Sequence, residues 1–313
     1  MALYLVTGIA GFIGAAVAQK LLNDGHEVVG LDNLSTGFLN HVPKDVKFYK
    51  IGVHEPKIVD ILNKYKFDAI FHIAGQSGGE LSYSDPVYDL QANAQSTLLL
   101  LKYANESGCK KIIYASTVSV YGEPSNSDNI DENTLTIPKS FYGVGKLASE
   151  HYLRIYAEQF GMDTVALRLF NIYGPGQNLD NFQQGMTSIY LSQAIRNKHI
   201  HVKGSKDRYR DLVYIDDTVN AFITVLDDKF KGFNLYNISS GEKTLVEDIV
   251  NEIKNNLPFN ITVEYEGSTP GDVFGYTGSS NKLMSESDWK PLIDVNNGIK
   301  NMVKWAVDKE LNQ

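Results

Sequence analysis

Tyr142 and Lys146 stand four residues apart in "FYGVGKLASE" (141–150). In a helix that spacing puts both side chains on one face. A phenol and an ammonium opening on one cavity form a proton-transfer pair. The positive charge favours phenolate and lowers the tyrosine pKa, so Tyr142 can take a proton from a substrate hydroxyl and later return one. The same stretch ends in "GVGK", which raises phosphate-loop chemistry instead. That reading fails because Ser140 stands where GxxxxGK[ST] needs its first glycine, and Leu147 where it needs a hydroxyl for a metal. On spacing alone the pair is equally a partly buried tyrosine beside an exposed lysine, so its surroundings must decide.

A second group lies at the start of the chain. Gly8, Gly11 and Gly14 form "GIAGFIG", a GxxGxxG pattern between an apolar run and a helical one. Gly8 suits a tight turn, Gly11 a close approach of backbone to a pyrophosphate, and Gly14 close helix–strand packing. The helix amino terminus then faces the phosphates. The usual fingerprint sets its first two glycines two apart; here they are three apart, and tight packing alone would also account for them. Asp32 ends the next apolar run, 24 residues after Gly8. An acid at that distance binds the adenosine ribose hydroxyls and repels a 2′-phosphate, which favours NAD over NADP. A turn aspartate before "NLSTG" is the plainer alternative.

The elements that must hold these groups are legible as short apolar runs alternating with helical patterns. Strands are expected at 3–8, 27–32, 46–51, 69–74, 111–116 and 164–170, with helices at 11–25, near 56–65, 87–106 and 140–160. This is the pattern of an α/β fold with a mostly parallel sheet covered on both faces, whose ligands bind beyond the carboxyl ends of its strands. After 172 the regularity breaks at the turn-rich "GPGQNLDNFQQG", followed by helices near 186–197 and 296–311 and a strand at 233–238. The expected organisation is a large domain over 1–174, with 206–238 and the 296–313 tail packing back on it. A smaller discontinuous α/β domain takes 175–205 and 239–295.

Composition excludes several classes. The 313 residues are 43% hydrophobic with a formal net charge of −8, against the basic stripe of a nucleic-acid binder. Cys109 is the single cysteine. It rules out an internal disulfide and a cysteine-rich metal knuckle, and it fits a reducing, cytoplasmic setting. The uncharged start "MALYLVTGIAGFIGAAVA" lacks the basic n-region of a signal peptide, and no later run is long and apolar enough to span a membrane. His54 and His72 are scattered, without metal-ligand spacing, and His72 inside an apolar strand reads as a satisfied core histidine.

Together the motifs resemble the extended short-chain dehydrogenase/reductase family, in particular its nucleotide-sugar epimerases and dehydratases, over nearly the whole chain. "TGIAGFIG" is similar to that family's cofactor loop and "DNLSTG" to the segment after its second strand. "YASTVSVYGEP" looks like its catalytic strand, Tyr142 and Lys146 like its YxxxK pair, and "LRLFNIYGPGQ", "RYRDLVYIDD" and "TPGDV" like its later signatures. The resemblance implies a Rossmann-type doubly wound parallel sheet and NAD as cofactor. Thr117 becomes the hydroxyl partner of Tyr142, with Ser116, on the other face of the strand, as its backup. On the cofactor side it places Gly8, Gly11, Phe12, Ile13, Gly14, Asp32, Asn33, Ser35, Gly52, Val53, Ala74, Gly75, Asn93 and Ser116 beside Tyr142 and Lys146. On the substrate side it places Ser77, Asn171, Arg210 and Asp272, with a nucleotide-diphosphate sugar as partner. It also implies a homodimer through the helices near 87–106 and 140–160.

The implied reaction is C4 epimerisation through a transient 4-keto sugar. The alternatives are a C4 dehydrogenase or ketoreductase acting on a UDP- or GDP-linked hexose or heptose with net hydride transfer, and a non-catalytic regulator that binds NAD and sugar. Dehydration is disfavoured, since Val118 and Ser119 stand where the dehydratases carry an acidic pair. Three departures stand out. Gly52 replaces an aspartate that holds adenine, Ser77 a lysine of some glucose/galactose epimerases, and Thr269 an arginine on the diphosphate.

Overall fold

The computed structural model describes residues 1–124, 126–182, 185–266 and 274–311. Six short apolar runs form strands β1 (Leu3–Thr7), β2 (Glu27–Asp32), β3 (Lys47–Lys50), β4 (Ala69–His72), β5 (Lys111–Thr117) and β6 (Asp163–Leu169). With the strand Phe233–Ile238 they make a seven-stranded sheet in the order Phe233–Ile238, β6, β5, β4, β1, β2, β3. Every pairing among β1 to β6 is parallel, with Leu5 opposite both Val29 and Ile70. The strands β1, β4 and β5 are buried almost throughout, as expected of a parallel sheet with both faces covered. The order reverses between β4 and β1. The carboxyl ends of those strands carry the glycine loop and Ala74-Gly75, the place where doubly wound sheets take their ligands.

Two helices adjoin these strand ends. Phe12–Asn23 packs on β1 and β2, and Phe141–Phe160 packs on β5 and β6. The long helix opens at Ser140, whose hydroxyl accepts from Gly143 N–H at 3.1 Å, and ends at Gly161 in the left-handed region. The side chain thus satisfies a first-turn donor that would otherwise lack a partner. Leu100, Leu101, Leu153, Ile112 and Leu5 share one apolar core. The helix expected over 87–106 runs from Pro86 to Ser107 and widens in one turn at Gln91–Gln95.

The chain divides into two units. The first comprises Met1–Pro124, Glu132–Leu169 and Val219–Asn237; the second Ser125–Asp131, Phe170–Thr218 and Ile238–Gln313. The expected organisation drew the boundaries elsewhere. Only 219–237 returns to the sheet unit, while 206–218, 170–174 and the terminal helix belong to the second. The Val295–Leu311 helix packs on Met186–Asn197 and Val246–Asn256, so its apolar stripe is covered there. The second unit also holds paired short strands: Asn171–Tyr173 with Leu212–Tyr214, Tyr209–Arg210 with Thr244–Leu245, and His199–Lys203 with Thr262–Glu266.

Candidate active site

The loop after β1 is shaped by close backbone approach. Gly8 has φ +71°, and a Cβ there would lie 2.8 Å from Ala74 N; a Cβ on Gly14 would lie 2.1 Å from Gly8 O. A larger residue at either position forces the loop off the sheet. A Cβ on Gly11 would meet only Gly8 O, at 3.2 Å, so that side stays open. Gly11 caps the following helix without a side-chain hydrogen bond, which leaves the first-turn N–H groups of Phe12, Ile13 and Gly14 to a ligand. Asp32, buried at the end of β2, accepts from Ala10 N–H at 3.0 Å and from Leu34 N–H at 2.7 Å. It therefore braces the glycine loop and the next loop together, and each oxygen keeps a lone pair for a ribose hydroxyl. Asn33 accepts from Ser35 N–H and donates to Tyr88. Gly52 N–H donates to Glu55 Oε1 at 2.7 Å, beside buried Val53. These groups fit a dinucleotide: donors at a helix start for phosphates and an acid one strand away for a ribose.

Tyr142 and Lys146 lie on the same unit. Both occupy the buried face of the Phe141–Phe160 helix, Lys146 being only 4% exposed, so the exposed-lysine alternative is excluded. Lys146 Nζ donates to Ala115 O at 2.9 Å and lies 5.9 Å from the Tyr142 ring centroid. Burial lowers its pKa to about 8, and the charge of Asp89 opposes that fall. Thr117 ends β5, accepting from Ser119 N–H at 3.1 Å. The turn it starts abuts the helix: a Cβ on Gly143 would lie 2.8 Å from Ser119 O. A Cβ on Gly75 would lie 2.5 Å from Asn93 Oδ1 and 3.1 Å from Lys146 Nζ, so Gly75, Asn93 and Lys146 share one spot. Asn93 itself is buried and donates to Gln76 O and Asp89 Oδ2.

Ser116, expected beside the cofactor and as the backup hydroxyl, has its side chain engaged elsewhere. Its Oγ donates to Glu150 Oε1 at 2.5 Å, inside a buried ion pair in which Arg168 donates to Glu150 at 2.9 and 2.7 Å. Strand alternation sends it away from Thr117. This pair was not read from the sequence, although Glu150 stands four residues after Lys146. His72 is a satisfied core histidine, bonded to Thr7 Oγ1 at 2.9 Å and to Thr97 Oγ1 at 3.2 Å. Burial, with the Lys146 charge adding to it, lowers its pKa to about 3. Among the described residues no group of three or more His, Cys, Asp or Glu side chains is placed to hold a metal.

The second unit carries Asn171 and Arg210. Asn171 Nδ2 donates to Asp211 O at 2.9 Å, and Arg210 donates to Tyr209 O at 2.7 Å and lies 6.0 Å from the Tyr276 ring. Burial lowers the Arg210 pKa, with nearby tyrosines opposing. Arg208 reaches Ser205 O and Lys203 O. Ser77 is exposed on the loop after β4. Asp272 and Thr269 lie outside the described residues.

Residues 4–239 match the NAD dependent epimerase/dehydratase family. A putative UDP-glucose 4-epimerase of Methanocaldococcus jannaschii is 32% identical, over 96% of this chain and 97% of that one. The UDP-glucose 4-epimerase of Mycolicibacterium smegmatis is 28% identical, over 97% of this chain and 98% of its own. Among solved structures, a UDP-glucose 4-epimerase from Thermotoga maritima with UDP-glucose superimposes with a TM-score of 0.93 at 29% identity, covering 98% and 99% of the two chains. The Thermus thermophilus UDP-glucose 4-epimerase in complex with NAD gives 0.89 at 30% identity, covering 97% and 98%.

Proposed function

We propose that this chain, which belongs to the NAD-dependent epimerase/dehydratase family, inverts C4 of a uridine-diphosphate hexose through a transient 4-keto sugar. The observation that carries the reading is Lys146: a buried ammonium beside Tyr142, anchored to Ala115 O two residues before Thr117. Bound NAD supplies the hydride acceptor and, on return, the donor. The helix start at Gly11 and the Asp32 carboxylate hold it. Tyr142 removes the C4 hydroxyl proton while the Lys146 charge favours its phenolate. Thr117 orients that hydroxyl. The keto sugar turns, presents its other face, and regains a proton from Tyr142. Arg210 and Asn171 supply donors to the diphosphate.

The test is to supply the purified protein with NAD and a panel of UDP- and GDP-sugars. Nicotinamide absorbance and the sugar isomers are followed together. Conversion to the C4 isomer without accumulating reduced cofactor is expected with UDP-hexoses. Reduction matching the sugar consumed means net oxidation and overturns the reading. Y142F should lose turnover at least about a thousandfold, the upper part of the range for acid–base groups, while still binding sugar.

A homodimer belongs to the same reading. Val87, Leu90, Phe141 and Val144 are each about half exposed or more, on helices packed against one another, and a second copy of the same pair would cover them. A monomer by light scattering with NAD present would refute it.

A further inference from the structure

Two buried polar atoms near Lys146 have no hydrogen-bond partner among the described residues: Asp89 Oδ1 and Asn93 Oδ1. Native proteins rarely leave such atoms unpaired without a reason. Asp89 is 1% exposed and Asn93 fully buried. Asn93 Nδ2 donates to Asp89 Oδ2 at 3.1 Å and to Gln76 O at 3.1 Å. The widened turn Gln91–Gln95 carries this asparagine, and such turns recur at functional sites. It also leaves the Asn93 carbonyl to accept from Ser149 Oγ, on the lysine's own helix, at 3.1 Å.

The approach is close because Gly145, immediately before Lys146, has no side chain. A Cβ there would lie 3.2 Å from Asn93 Cβ and 3.5 Å from Asp89 Oδ1. The other groups facing the ammonium are no substitute for a counter-charge. The Tyr114 ring on β5 and the Tyr142 ring lie 4.8 and 5.9 Å from Nζ. His72 on β4 is held neutral by burial. Glu150 is committed to Arg168 and Ser116. Burial raises the Asp89 carboxyl above its ordinary value, and the Asn93 amide and the Lys146 charge both act against that rise. Asp89 Oδ2 accepts from the Asn93 amide, as a carboxylate oxygen does.

We propose that Asp89 is a positioning residue for Lys146: its carboxylate is the buried counter-charge to the ammonium beside Tyr142, and Asn93 is the strut that fixes it there. The proposal rests on reading Tyr142 and Lys146 as the proton-transfer pair. On this proposal Asp89 acts through Lys146 alone. It acts by keeping Lys146 charged and aimed past Gly75.

The experiment is the pH profile of kcat/KM for C4 inversion in the NAD-loaded protein, for wild type, Asp89→Asn and Asp89→Glu. With the counter-charge gone, the lysine loses its proton more easily. The alkaline limb should move down by about one pH unit, the low end of what one adjacent opposite charge does. Asp89→Glu should recover most of the shift, and thermal midpoints should stay close to wild type. A merely structural role would lower activity at every pH and leave the limb in place, which overturns the proposal. Should Asp89→Asn fail to fold, nuclear magnetic resonance on wild-type protein decides. Lys146 Nζ and Asp89 Cγ must share an inflection, and independent titration overturns the link. If Y142F keeps its turnover, the proton-transfer reading fails by itself, and the shared inflection still tests the Asp89–Lys146 link.

Discussion

Replacing Arg168 by Met should expose how β5, β6 and the Phe141–Phe160 helix are locked together. The guanidinium makes two charge-assisted hydrogen bonds to Glu150, at 2.9 and 2.7 Å, and both side chains are 4% exposed. It also stacks 4.7 Å from the Tyr121 ring. Methionine keeps much of the apolar stem but leaves the Glu150 carboxylate buried with the Ser116 hydroxyl still donating to it. Removing one partner of a buried pair costs about 3–5 kcal/mol, because the other charge is left uncompensated. Part of that loss should return on acidification. The stranded carboxyl would have a raised folded pKa, so the folded state binds the extra proton and stability falls as pH rises through the window between the ordinary carboxylate value and the raised one. Urea unfolding of wild type and R168M at saturating NAD, between about pH 5 and about pH 8, measures both effects. The double variant E150L/R168M removes both charges and should recover most of the loss, because its penalties are not additive. A loss below about 1 kcal/mol in R168M, or one independent of pH, would refute the argument that this is a buried, mutually dependent pair. Turnover reports the functional side. Ser116 adjoins Thr117, and Glu150 lies two turns from Tyr142. A shift of strand against helix should therefore lower kcat by at least about tenfold, within what small misplacements cost.

Other outcomes follow from single contacts. Gly75→Ala would place a methyl 2.5 Å from Asn93 Oδ1 and 3.1 Å from Lys146 Nζ; kcat should fall by about tenfold or more, and unchanged kinetics would show that these groups yield without consequence. His72, whose folded pKa is about 3, is neutral in the fold and protonates readily when unfolded. Below its unfolded value of about 6.5 stability must fall with pH, by about 2–3 kcal/mol from this group between about pH 6 and about pH 4. H72Q should flatten that part of the urea-stability profile, and equal slopes for the two proteins would count against the assignment. Val144→Asp, on the exposed apolar face, should convert a dimer to monomers by light scattering; an intact dimer would move the proposed interface elsewhere.

The sheet was legible because its strands are buried on both faces and read as continuous apolar runs. β2 has the bounds 27–32 read from the sequence, and Phe141–Phe160 lies within a residue of the expected helix. Likewise the glycines and Asp32 depend on backbone geometry that only certain residues allow, so their types announce their roles. The sequence by itself therefore determined the sheet, the cofactor end and the Tyr142–Lys146 pair, since each is carried by local spacing. Only the tertiary structure decided the rest. Ser116 and Thr117 are adjacent hydroxyls, and only the packed chain shows Ser116 donating to Glu150 while Thr117 opens the turn after β5. The widened turn at Gln91–Gln95 leaves no mark in periodicity, yet it carries Asn93, which bonds Asp89 and lies with Lys146 beside Gly75. The pairing of Glu150 with Arg168 joins a helix to a strand 18 residues on. The 206–218 segment and the last helix went to the second unit because their apolar faces find partners there. Burial turns an ordinary lysine into one with a pKa of about 8, and burial belongs to the packed chain.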